Sequence, residues 1–361
     1  MPITRPLILP NPTAFLAQYP RKIKSASGVL LVLIGALVVA ACSQPEPTPT
    51  PTPTATQVPS PTTTPAPLVV RRDMSFPTPD PSRLNQVSAV LAAVPGNYHS
   101  VIVLDVQELK DNPVLSGLLD SERLGIPALI PIDATASIER VAVAATGQGQ
   151  ITVMKGNIDV ASLLKLVGGF GFTLNIPDPE DYRDHQVWDI NILGVTLAVG
   201  QADPTNVIFS SGPPAAGTTA VAKIRESLDT FDGLSPGFLD SPDAMRLLER
   251  LPLGFATSVL SDCAALGDIA TVIDIPGCIG GAVSAEITGA GEVTFYGLAA
   301  FKDEAQALAA LEIALDRVQD EDGLPFDEVA VGQEEELIWG IIAVESERLA
   351  EALEAFDLLD Q

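Results

Sequence analysis

A chain of 361 residues with 46 acidic against 20 basic side chains, a formal charge of −26 and 47% hydrophobic residues is both acidic and able to build a core. Its charge excludes nucleic acid and anionic lipid surfaces as partners, because both are bound through concentrated Lys and Arg. Two histidines and three cysteines leave little material for metal or nucleophilic chemistry.

The first residues read as an address. Arg21, Lys22 and Lys24 precede an apolar run from Val29 to Ala41 broken by Gly35, which is the basic, apolar, small-residue layout of a secretory signal. The run falls short of the roughly 20 residues a membrane-spanning helix needs, so residues 1–41 are expected to be cleaved rather than retained as an anchor. Val39-Ala40-Ala41-Cys42 resembles the lipobox of bacterial lipoproteins, with Val39 where Leu is commoner. That resemblance implies a diacylglycerol on Cys42, cleavage just before it and acylation of the new amino terminus. More than one chain matters, because a buried methylene is worth about 0.8 kcal/mol and a single acyl chain holds only marginally. The expected partner is therefore the membrane, reached through the N-terminal lipid, with the protein on the extracytoplasmic side of the cell membrane.

Residues 42–73 follow as a tether. Nine prolines between Pro45 and Pro67, interleaved with threonine, preclude a core and favour extended polyproline II. At about 3.1 Å per residue the tether reaches roughly 90 Å. Without its first 41 residues, which hold four basic and no acidic side chains, the chain carries a charge of −30. A solubilising surface is the simplest use of that charge. With Cys42 assigned to lipid, Cys263 and Cys278 remain as an even pair in an exported chain and are expected to form a disulfide. Two thiolates without a nearby histidine do not complete a zinc site.

The folded part contains a pattern that occurs twice. "VPGNYHSVIVLDVQEL" (Val94 to Leu109) matches "LPLGFATSVLSDCAAL" (Leu251 to Leu266), and "TGQGQITVMKG" (Thr146 to Gly156) matches "TGAGEVTFYG" (Thr288 to Gly297) in the same order. The first pattern alternates Val101 and Val103 with Ile102 and Leu104, a strand buried on both faces. The TGxG segments read as hairpin turns. A helix is expected after each, with stripes at Val160, Leu163, Leu164 and Val167, and at Leu308, Leu311, Leu315 and Val318. A second hairpin follows, Gln186 to Gly200 in one copy and Glu328 to Ala343 in the other. Each copy closes on a helix, through Val221, Ile224 and Leu228 or through Leu349, Leu353 and Phe356. Ser241 is the expected N-cap of a short helix between the copies. The spacing therefore predicts an α+β fold in two tandem similar halves, residues 74–238 and 239–361, each a largely antiparallel sheet of hairpins with amphipathic helices on one face. This order of elements resembles a loose group of exported bacterial proteins with duplicated α+β domains, a resemblance that carries no catalytic residues with it.

A search for chemistry finds no HExxH, CxxC, GxSxG or P-loop pattern. His99 lies at the edge of the first strand where the second copy has Ala256 or Thr257, which favours a structural role. His185 follows the polar run "DPEDYRD" and reads as a solvated loop residue. The "VGGFGF" cluster (Val167 to Phe172) follows a helix rather than a strand, the wrong context for holding phosphate. "QDEDGLPFDE" (Gln319 to Glu328) lacks the first and the bidentate carboxylates of a calcium loop. The glutamates of "GQEEELIW" (Gly332 to Trp339) read as charge decoration of a turn. Asp105, matched by Asp262, is expected to cap the following helix. No catalytic, cofactor-binding or metal-binding residue is assigned. The expectation is a noncatalytic module that binds a protein or small molecule. A transporter's solute-binding lipoprotein is the alternative, and an envelope hydrolase using Asp105 and a second buried acid ranks third.

Overall fold

The computed structural model describes residues 69–112, 137–146, 149–160, 164, 177–192, 195–212, 219–263, 277–288, 291–320, 326 and 328–345. Cys42, the Pro/Thr segment, the VGGFGF cluster and the stripe through Leu349, Leu353 and Phe356 lie outside them, as do most of the 160–167 helix and the centre of the acidic turn after Gln319.

The described strands form one sheet of thirteen in the order β1-β12-β13-β11-β10-β9-β2-β3-β4-β8-β7-β6-β5. In chain order they are β1 (Val69–Arg71), β2 (Ser100–Asp105), β3 (Ile138–Thr146), β4 (Gly149–Gly156), β5 (Glu180–Tyr182), β6 (His185–Ile192), β7 (Val195–Asp203) and β8 (Asn206–Gly212), then β9 (Ala256–Leu260), β10 (Cys278–Thr288), β11 (Glu292–Phe301), β12 (Glu328–Glu334) and β13 (Leu337–Glu345). Five helices accompany them: α1 (Pro81–Leu91), α2 (Val106–Asp111), α3 (Ala220–Phe231), α4 (Pro242–Arg250) and α5 (Glu304–Asp320). The fold is thus α+β with a mostly antiparallel sheet; only β1, against β12, pairs in parallel. The TGxG segments join antiparallel partners, with Thr146 paired to Gly149 where β3 meets β4 and Thr288 paired to Glu292 where β10 meets β11; their central residues lie outside the described ones. Gln186–Gly200 and Glu328–Ala343 both fall within paired strands, β6 with β7 and β12 with β13.

Local chemistry accounts for the helix starts. Asp80 caps α1 by accepting from the Ser82 N–H, with Pro81 at the first position where no intrahelical donor is needed. Thr219 caps α3, and Ser241 caps α4 by accepting from the Ala244 N–H. Asp105 caps α2 by accepting from the Glu108 N–H at 3.1 Å.

The helices lie on both faces of the sheet, not on one as the sequence suggested. On the first face α1, α3 and α4 bury Val90, Ile224, Leu228, Leu247 and Leu248 against Val101, Val103, Ile208 and Leu298. On the second face Leu315 of α5 joins Phe295, Val329 and Ile342, and Val106 of α2 joins Val141, Met154 and Val199. Side chains alternate across a strand, so strands apolar at successive positions need cover on both sides. The α5 stripe is also displaced from its expected line. Ala307, Ala310, Ala314 and Leu315 are buried while Leu308 is 49% exposed. The alanines face the sheet because their short side chains let the helix approach it.

The sheet also begins earlier than expected. Val69–Arg71, at the end of the segment read as tether, pairs with Glu328–Ala330. Phe76 then packs on the rings of Trp339 and Tyr296, at centroid distances of 5.6 and 6.2 Å. Val69 and Val70 suit an edge strand that the polyproline segment before them does not.

Candidate functional site

Asp105 is the buried acid on which the hydrolase reading depended. It ends β2, where its own N–H donates to the Phe255 carbonyl at 2.7 Å and fastens β2 to the chain entering β9. Its Oδ2 lies 2.6 Å from Arg140 Nη2 and 4.0 Å from Arg83 Nη1. Arg140 stands directly across the β2–β3 ladder from Asp105, and its Nη2 also donates to Gln86 Oε1 at 2.7 Å. Arg83 is tied to Glu108, which raises the guanidinium pKa further above its ordinary range. Arg83 and Arg140 thus face Asp105 and Glu108, two arginines against two carboxylates. Asp105 is the only acidic residue in the buried class among the described residues.

His185 is not a loop residue. It is the first residue of β6, and its Nε2 lies 2.9 Å from Asp232 Oδ2 at the end of α3, with the ring edge-on to Phe231. The turn that delivers it holds Arg183 and Asp184 at φ of 48° and 68°, left-handed geometry without a glycine. Around it, Tyr182 Oη donates to Asp229 at 3.0 Å, and Arg225 and Arg183 lie over the Tyr182 ring at 5.2 and 5.7 Å. The cluster fastens the β5–β6 hairpin to α3. His99 lies exposed just before β2; its carbonyl accepts from the Ser261 N–H at 2.8 Å, and its Nδ1 is 3.4 Å from Ser261 Oγ.

Cys263 and Cys278 form a disulfide with a Cα–Cα distance of 5.9 Å, joining the chain after β9 to the start of β10. Two of the three glutamates at the β12–β13 turn are paired rather than free decoration. Glu334 pairs with Arg250 and Glu336 with Arg246, both on α4. Glu336 titrates below the usual carboxylate range, held first by its own backbone N–H and then by Arg246. Two tyrosines are pushed up to about 12, each mainly by burial, with Glu226 adding to the effect at Tyr98 and Glu286 at Tyr296.

Among the described residues no group of three or more His, Cys, Asp or Glu side chains is placed to hold a metal ion. No described helix is long and apolar enough to cross a membrane. Sequence reasoning missed the arginine partners, Arg83 and Arg140 above all. Their roles depend on strand register and on where α1 docks, and neither leaves a local signal.

No family model and no curated protein matches the chain. Among solved structures it is similar to TP0453 in its crystal form IV, with a TM-score of 0.45 and 11% identity, over 73% of this chain and 95% of that one.

Proposed function

We propose that the protein is an extracytoplasmic lipoprotein anchored at Cys42, acting as a noncatalytic binding or interaction module built from two tandem halves. The observation that carries the anchor is the order of basic residues, apolar run, Val39-Ala40-Ala41-Cys42 and Pro/Thr ladder. The noncatalytic reading is supported by the polar clusters, where Asp105, Glu108, Asp229 and Asp232 each sit against a cationic or histidine partner.

Duplication is supported by the sheet. Outward from the β2–β9 pair the order runs β2-β3-β4-β8-β7 on one side and β9-β10-β11-β13-β12 on the other. Register shifts fall at the same place in both first hairpins, between Ile138 and Arg140 and between Cys278 and Gly280. In this reading β7–β8 corresponds to β12–β13, one strand later than the β6–β7 match that the sequence suggested. The β5–β6 hairpin is then an addition to the first half, and β1 fills the matching flank of the second. The proposed boundaries are residues 1–41 for the signal, 42–73 for the Pro/Thr-rich tether, whose last residues include β1 paired with β12, and 74–238 and 239–361 for the two halves.

A solute-binding lipoprotein would need two lobes that hinge around a cleft. The β2–β9 ladder, with Val101 opposite Val259 and Val103 opposite Thr257, makes the halves one sheet and counts against hinging. Fractionation of cells expressing the Cys42→Ala chain tests the anchor. Release from the membrane is expected, and unchanged retention would refute it. Crosslinking and affinity capture from the native membrane then read the interaction role.

A further inference from the structure

The first described segment of the chain clasps one edge of the sheet from both faces. β1 pairs in parallel with β12, Val69 to Arg71 against Glu328 to Ala330. Val70 packs into the second-face cluster that holds Val329 and Ile342. Phe76 lies on the first face, its ring against Trp339 and Tyr296. The chain then enters α1, which Gln86–Arg140 and Arg83–Glu108 tie to β3 and α2 of the other half. Residues 69–76 are thus an arm that leaves one half and closes the outermost strand of the other.

Two features mark the arm's seat as a place for a separate segment. A parallel pair cannot be closed by a hairpin, so the strand beside β12 has to arrive from elsewhere. In the proposed duplication, moreover, the pair Gly200–Ile208 matches the pair Gly332–Trp339. Gly200 leaves room for Ile224 of α3, whereas Gly332 leaves room for the Trp339 ring, on which Phe76 packs. The first half is covered at this point by its own helix, and the second half receives the arm. The hold is light: three paired residues, an Arg71–Glu328 ion pair exposed on both sides, and one half-buried ring. Val69 and Met74 of the arm are 50% and 41% exposed. A segment held so lightly opens locally without global unfolding.

We infer that the β12 edge, with Trp339 and Tyr296, is a docking site for this arm in trans, and that its occupant is residues 69–76 of a second copy. An exchanged arm makes the same contacts that it makes in its own chain, which is why exchange of identical elements is a low-cost route to dimers. What exchange gives up is the covalent link between arm and seat through residues 77–80. That link acts as an effective concentration, so a second copy competes only where copies are crowded. The tether supplies the crowding. Residues 42–68 end in the arm, so anchored copies hold arms and seats within a tether's reach of one membrane. The inference rests on the anchored-module reading and names the partner that the module takes.

Val70 and Val329 face each other in register, so chains carrying Val70→Cys and chains carrying Val329→Cys, mixed on the same vesicles in lipidated form, report exchange under mild oxidation. A covalent dimer that needs both variants and grows with surface density is expected; its absence at every density overturns the exchange. In solution, Val70→Asp with Phe76→Ala vacates the seat. That chain should bind a labelled peptide of residues 69–76 about tenfold tighter than the unsubstituted chain, whose own arm competes. Replacing Phe76 by Ala in the peptide should weaken binding about tenfold. Equal binding by the two chains, or none by either, would refute the seat. The milder Phe76→Ala chain should melt within about 5 °C of the unsubstituted one; global unfolding would show that the segment belongs to the core and is no arm. Flotation of the same vesicles reads membrane retention, so retained chains that form no dimer refute exchange and leave the anchor standing.

Discussion

Replacing Asp105 separates the two structural tasks of its carboxylate. Asp105→Asn keeps an oxygen that can accept from the Glu108 N–H but removes the charge facing Arg140, whose side chain is only 15% exposed. Breaking a fully buried pair costs 3–5 kcal/mol. Arg140 keeps Gln86 as a partner and some solvent, so about 2 kcal/mol is expected. Asp105→Ala also removes the cap of α2, adding about 1 kcal/mol. Urea denaturation should therefore give losses of about 2 and 3 kcal/mol with unchanged slope. In a double-mutant cycle of Asp105→Asn with Arg140→Met, the double variant should recover at least 1 kcal/mol relative to additivity. Additive effects would refute the ion pair, and equal losses for Asn and Ala would refute the cap. A stabilised Asp105→Asn would point instead to an acid held in an unfavourable site for catalysis, and would restore the hydrolase reading.

Alkaline unfolding should be driven by Tyr98 and Tyr296. A folded pKa raised from 10 to about 12 adds stability that is fully present below pH 10 and lost as pH rises through 12, because the unfolded chain ionises first. Together they should withdraw about 4 kcal/mol over that window, with phenolate absorbance rising alongside unfolding; ionisation near pH 10 with the fold intact would contradict the burial argument. Reducing Cys263–Cys278, which closes a loop of sequence separation 15, should cost about 3 kcal/mol in thermal or urea melts. A reduced chain melting with the oxidised one would show that the bridge constrains nothing in the unfolded state.

What the sequence disclosed was local. Ser241 and Asp105 could be read as caps because a cap is decided within four residues, and both cap as expected. The TGxG turns, the alternation of β2 and the Ile224 and Leu228 face of α3 are equally short-range. What stayed hidden depends on distant neighbours. Val69–Arg71 looks like the end of a tether until β12 lies beside it. His185 looks solvated until the β5–β6 turn, built on positive φ without glycine, brings it to Asp232. The second helical layer was implicit in Val101, Ile102, Val103 and Leu104 being apolar in succession, but the hairpin pattern drew attention to one face only. Phe76 and Trp339 lie far apart in the chain and meet only because β1 pairs with β12.

The β2–β9 junction also sets an order of events for folding. β2 ends at Asp105 and β9 begins only at Ala256, and a chain is synthesised amino end first. Until β9 arrives, the β2 edge presents Ser100 to Asp105 as an unpaired row beside β3, ready to accept whichever extended segment comes first. Pairing so distant in sequence is slow to form. The vulnerable moment therefore falls between synthesis of β2 and arrival of β9, when the open edge is most exposed to a wrong partner.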